Sequence, residues 1–185
     1  MKDEVVDVSD IASRICSGDI IAYEEFVRDQ WATAVRTCWL ILRNVQDAEE
    51  AAQDAFVNLY KSRSRLKDPK KFRLWFYKIL LNSARQQWRR RLNTLPIPDA
   101  DVPDPVDKID KIDRKIMVQD AINSLSRPER IALVLCYFCD LTDREASIVA
   151  GWPIGTYKWR LAKARRQIAR QLKDSKILNA KVVKE

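Results

Sequence analysis

The chain has no histidine and only 3 glycines among its 185 residues. Missing histidine removes the side chain best suited to proton transfer near neutral pH and the commonest zinc ligand. Scarce glycine leaves few of the turn pairs that bound short strands, which argues for helices over a many-stranded sheet. No Gly-rich phosphate loop is present, and no carboxylate cluster sits among the basic stretches, so a nucleic-acid enzyme is disfavoured. No catalytic residue, metal, cofactor or small-molecule substrate is expected. No run of about 18 apolar residues occurs, so nothing is expected to span a membrane. Met1–Asp10 is acidic and lacks an apolar signal core, which points to the cytoplasm. Four cysteines are too few for a disulfide scaffold in a chain of this size. Cys136 and Cys139 form a single CxxC within the apolar run Ile131–Leu141. With no second pair they read as buried helix residues.

Positive charge is abundant but confined. The net charge is +8, which suggests a polyanionic partner without choosing between nucleic acid and a membrane surface. Residues 1–30 carry 3 basic and 8 acidic side chains, whereas residues 61–91 carry 12 and 1. Residues 92–113 return to 2 and 6, and residues 144–173 reverse again to 8 and 1. Two basic blocks flank an acidic one, which points to nucleic-acid contact at two places.

The acidic stretch is also a boundary. Residues 93–112 read NTLPIPDADVPDPVDKIDKI, and four prolines within ten residues exclude a helix there. The expected architecture is all-α, with two small helical domains joined by a Pro/Asp-rich linker. Their spans are residues 1–92, 93–112 for the linker, and 113–175.

In the first domain Ala22, Phe26, Ala34, Cys38 and Ile41 fall near helical spacing. After a break at Asn44–Gln46, Ala48, Ala51, Ala52, Ala55, Phe56 and Leu59 form another apolar face, with Asp47 placed as an N-cap. Asp68-Pro69 starts a third long helix, whose core stripe is Phe72, Trp75, Phe76, Ile79 and Leu80. Cations and rings interleave along it, from Lys71 through Arg85 and Trp88 to Arg89. Single-stranded bases stack on exposed rings while cations hold the backbone. Phe72 and Phe76 read as core, and Trp88, set among arginines, as the most exposed ring.

Four helices are expected in the second domain, the first over Asp113–Leu125. Ser126-Arg127-Pro128-Glu129 starts the second, and Thr142 with Glu145 forms a capping box for the third. Gly151-Trp152-Pro153 makes a turn, and a basic helix follows from Ile154. Helix, short glycine turn, basic helix is the helix-turn-helix pattern, whose second helix enters a major groove N-terminus first. Thr156, Lys158, Trp159 and Arg160 occupy that edge, with Lys163 and Arg166 behind. Ile154, Tyr157, Leu161, Ala164 and Ile168 are placed inward. Arg160 is the first choice for a base contact, and Lys163 and Arg166 for phosphate contacts.

Three ordered segments resemble a known family. DAEEAAQDAFVNLY (Asp47–Tyr60) is similar to the second conserved region of extracytoplasmic-function sigma factors. KFRLWFYKILLNSARQQWRRR (Lys71–Arg91) resembles the adjoining promoter-melting and minus-ten-reading region. Residues 122–168 resemble the fourth region, which reads the minus-thirty-five element. The resemblance implies that the Asp47–Tyr60 helix docks on core RNA polymerase, through Asp47, Glu49, Glu50, Gln53 and Phe56. It implies that the loop near Ser64–Lys70 and the helix bearing Asn82, Arg85, Gln86 and Arg89 capture the unwound strand. It implies that the linker threads towards the polymerase cleft, and that an anti-sigma factor, often membrane-anchored, covers these faces. The chain departs from the family pattern at Ala146-Ser147, at Tyr157, and at Trp159, where a small polar residue is usual. Without the resemblance, Asp47, Glu49, Glu50 and Gln53 read simply as a solvated helix face.

The competing function is a free-standing helix-turn-helix regulator. It accounts for the second domain but leaves the basic, ring-bearing helix of the first without a role.

Overall fold

A computed structural model describes residues 8–93 and 122–182, with side chains for residues 10–91 and 122–173. The expected linker, apart from Asn93, and most of the expected Asp113–Leu125 helix lie outside the described residues. Every regular element among the described residues is helical. Internal contacts divide the chain into two units, Met1–Val106 and Asp107–Glu185.

The first unit holds α1 (Val8–Ser17), α2 (Ile20–Leu42), α3 (Val45–Ser62) and α4 (Phe72–Asn93). Short 3-10 turns at Arg63–Arg65 and Pro69–Lys71 lie between α3 and α4. Gly18, at φ 98°, turns the chain out of α1. The Asp19 carboxylate then accepts from Ile21 N–H at 2.9 Å and Ala22 N–H at 3.1 Å, capping α2. Arg43 ends α2 in the left-handed region at φ 62°, its N–H donating to the Trp39 carbonyl at 2.8 Å. Its guanidinium lies 4.2 Å from the Trp39 ring centroid, a cation–π contact that helps hold an unusual conformation for a non-glycine residue.

Asn44, and not Asp47, caps α3: its side-chain oxygen accepts from the Asp47 N–H at 2.9 Å. Asp47 is therefore already inside the first turn, and its carboxylate is free to meet another helix. The inward face of α3 is small, with Ala48, Ala51, Ala52 and Ala55 all completely buried. Such a face lets neighbouring backbones approach closely, and α3 packs on both α2 and α4. Where the alanines end, rings take over. Phe26 of α2 meets Phe72 and Phe76 of α4 edge-on at 5.0 and 5.1 Å, and Phe56 lies 5.3 Å from Phe76. Edge-to-face pairs at this spacing are favourable beyond the area they bury.

The second unit holds α5 (Arg127–Tyr137), α6 (Asp143–Ala150) and α7 (Ile154–Val182). Glu145 reaches back to the Thr142 N–H at 2.9 Å, completing the expected capping box, and Glu129 reaches back to the Ser126 N–H at 3.0 Å in a second one. Gly151 closes α6 in the left-handed region at φ 68°, where a Cβ would be strained. Tyr157 is fully buried and its hydroxyl donates to the Ala132 carbonyl at 3.1 Å, joining α7 to α5. Leu161 and Ala164 are buried beside it and Ile168 is half-buried, but Ile154 is exposed because it sits at the first position after the turn. Cys139 is buried beyond the end of α5, and Cys136 is half-buried in its last turn. Of this pair, Cys136 alone is a helix residue.

Phe56 is 3% exposed, so it belongs to the ring cluster and not to an outward docking face. Phe56→Ala should therefore destabilise the chain by about 3–5 kcal/mol, the usual cost of emptying a buried phenylalanine site. Urea unfolding of the full chain measures this; an exposed docking residue would change it by about 0.5 kcal/mol or less.

Candidate nucleic-acid interface

Each basic block sits on the outer side of a helix whose inner side is core. In α4 the inner stripe is Phe72, Phe76, Leu80, Leu81, Ala84 and Gln87, all buried. Asn82, Gln86 and Arg89 are exposed on the opposite side, and Arg85 is half-buried beside them. These four lie three or four residues apart and so share one face. Lys71 is exposed at the start of the helix, 3.7 Å from the Asp68 carboxylate.

Trp88 differs from expectation. It is half-buried and engaged with other groups. It falls one turn after Ala84 and two after Leu81, at the margin of the buried stripe, and that position outweighs its arginine-rich sequence neighbourhood.

The three arginines closing α4 separate into two roles. Arg91 pairs with Asp47 at 3.1 Å and Arg90 with Asp54 at 3.1 Å, while Gln87 donates to Glu50. Acids of α3 thus meet the basic end of α4, an arrangement that fixes the rotation of α4 more than it stabilises the unit. Arg89 remains exposed on the outer face. On α3, Glu49 and Gln53 are exposed, whereas Asp47 and Glu50 are partly spent on α4. Asp54 and Gln87 were not singled out from the sequence, because nothing in a linear spacing pairs residues more than 30 positions apart.

The helix-turn-helix places Lys158 and Trp159 outward at the start of α7, with Thr156 and Arg160 half-buried. The Arg160 guanidinium lies 3.9 Å from the Trp152 ring centroid, so its fork is stacked and oriented. Lys163 forms an ion pair of 2.6 Å with Glu129, whose side chain is 4% exposed. Lys163 therefore holds the interior of its own unit, and is not simply a phosphate-seeking cation. Burial pushes the Glu129 carboxyl up, but hydrogen bonds from Lys163 and Ser126 outweigh it and leave the group below the ordinary glutamate value. Arg166 is exposed further along α7. Ser126 was legible as the start of α5; the roles of Glu129, as a capping residue and as the partner of Lys163 on another helix, were not.

Two helical units each present a polar or basic helix face over an apolar core. The Sigma-70 region 2 family model matches residues 22–94, and the Sigma-70, region 4 model matches residues 115–168. The RNA polymerase sigma-E factor of Streptomyces avermitilis is 25% identical, over 90% of this chain and 93% of that protein. The ECF RNA polymerase sigma factor SigW of Bacillus subtilis is also 25% identical, over 87% and 94%. Among solved structures, CnrH in complex with the cytosolic domain of CnrY has a TM-score of 0.68 at 21% identity, covering 91% of this chain and 99% of that one. The sigma factor RpoE of Bartonella quintana, in complex with the anti-sigma factor NepR, has a TM-score of 0.63 at 22% identity, over 81% and 98%. The chain belongs to the extracytoplasmic-function group of the sigma-70 family, RNA polymerase sigma factors that direct transcription to promoters. The free-standing regulator is not favoured. No helix among the described residues is long and apolar enough to cross a membrane.

The Lys163–Glu129 pair yields a stability prediction with a pH signature. Lys163→Met should cost about 1.5–3 kcal/mol at neutral pH, because it leaves a buried carboxylate without its charged donor. The Glu129 value is lowered in the folded chain, so the pair stabilises above the ordinary glutamate range. That contribution is lost as pH falls through the lowered value. Urea unfolding of both proteins should show a wide gap at pH 7 that closes in acid; a gap independent of pH would mean the pair contributes only packing.

Proposed function

We propose that the two units divide promoter recognition between them. Residues 1–92 bind core polymerase and melt and hold the minus-ten element. Residues 93–112 form the connecting linker, and residues 113–175 read the minus-thirty-five element. The observation that carries this reading is the placement of both basic blocks on the outer faces of helices within the two matched regions. Polymerase docks on the outer face of α3 through Glu49 and Gln53, with Asp47 and Glu50 helping to set the position of α4. The unwound strand runs along Asn82, Arg85, Gln86 and Arg89, with Lys71 at the entrance and Trp88 supporting the face from its edge. In α7, Thr156, Lys158, Trp159 and Arg160 face the upstream groove, and Arg166 meets a phosphate. The chain itself performs no catalysis, and it acts in the cytoplasm, where its polymerase is. CnrH is described in complex with the cytosolic domain of CnrY, and RpoE in complex with the anti-sigma factor NepR, which supports an anti-sigma factor for this chain too.

Run-off transcription with purified core on fragmented genomic DNA tests the reading directly. Discrete transcripts should require both core and this chain, and a gel shift should likewise need core. Specific DNA binding without core would favour a regulator acting alone. On the docking face, Glu49→Lys should weaken core binding several-fold while leaving helicity unchanged. The loss should be largest at low salt, since an exposed charge is screened as ionic strength rises. A pull-down at two salt concentrations checks it; unchanged affinity removes Glu49 from the interface.

A further inference from the structure

At the start of α7 each cation has a partner within the protein. Arg160 lies on Trp152, Lys163 holds Glu129, and Lys158 is 4.0 Å from the Asp143 carboxylate. The large side chain that projects between them is Trp159, 57% exposed. Its neighbour Tyr157 is wholly buried, so the two aromatic rings at this edge have opposite fates. The Lys163 ammonium sits 5.3 Å from the Trp159 ring centroid. Lys163 is itself anchored by Glu129, so this cation–π contact props the indole in place. An apolar ring held outward among cations, at the leading end of a groove-entering helix, has one matching feature in the major groove. Base edges there offer hydrogen-bond donors and acceptors, and a single apolar group, the thymine C5-methyl.

We propose that Trp159 reads a thymine methyl in the upstream promoter element and is a specificity-determining residue of this chain. The inference rests on α7 entering the major groove. The contact needs no hydrogen bond from Trp159, and it selects thymine over cytosine by apolar fit.

Deoxyuridine isolates the methyl, because it deletes that group and preserves pairing and every hydrogen-bonding position. Thymines of the upstream element, in a promoter obtained by run-off transcription, are replaced one at a time in linear templates. Initiation is measured with subsaturating holoenzyme carrying the parent chain or Trp159→Ala. The ring is exposed, so the variant should fold, and thermal melting of the full chain verifies this. At one thymine, deoxyuridine should lower initiation by the parent about fourfold, the worth of one buried methyl-sized group. The same replacement should leave initiation by Trp159→Ala unchanged. Two results overturn the assignment: no methyl dependence with the parent, or the same dependence with the variant. If the variant instead loses initiation equally on all templates and keeps the parent's methyl dependence, the ring meets a protein surface. Base-pair substitutions across the element serve as the control. If they leave initiation unchanged, α7 does not read the groove and the wider reading falls; if they matter and the methyl does not, only Trp159 is reassigned.

Discussion

Each helix in this chain has one face that must be buried, because short helices are held by packing and not by their own hydrogen bonds. Function is confined to whatever face remains. In α3 the buried face is alanine, which brings α2 and α4 close and leaves acids on the outside. In α4 the buried face is large and aromatic at its start and narrows to Ala84 and Gln87 near its end. The outer face therefore opens towards Asn82, Gln86 and Arg89, where the helix needs least of its surface for the core. In α7 the buried face is Tyr157, Leu161 and Ala164, and the surrounding positions are left for polar contact.

Charge follows the same constraint. Along the chain, acids and bases lie in separate blocks, and their segregation is what first points to a polyanion. In the folded first unit, part of that segregation disappears: Asp47 and Asp54 of α3 meet Arg91 and Arg90 of α4. The surviving positive surface is smaller than the sequence suggests and better aimed. In the second unit the same thing happens at one point, where Glu129 claims Lys163. A block of charge in a sequence is thus an upper bound on the surface it creates.

The fold was legible from local signals. Apolar spacing, the Thr142–Glu145 capping box and the glycine after α6 each constrain the backbone within a few residues of themselves. The inward placement of Tyr157, Leu161 and Ala164 followed from helical periodicity alone. Errors arose where a neighbour distant in sequence decides the matter. Asn44 displaced Asp47 as the cap because the helix begins three residues earlier than the alanine stripe implies. Phe56 was read both in the apolar face of α3 and, by resemblance, with the acids of a docking face, and three rings from other helices decide for the first. Trp88 was read with its arginines, but its angular position puts it beside Ala84 and Leu81. Arg160 and Lys163 were placed correctly on α7, while Trp152 and Glu129, which hold them, carry no marker of that role in a linear chain.

The bond from the Tyr157 hydroxyl to the Ala132 carbonyl has a mechanical meaning. It ties the first turn of α7 to the backbone of α5, off the axis of α7, so it acts as a key in a shaft. The helix cannot roll about its own length without breaking a buried hydrogen bond. Any torque on the leading side chains is passed into α5 instead of being relieved by rotation. The angular register of α7 is set by a carbonyl 25 residues before Tyr157.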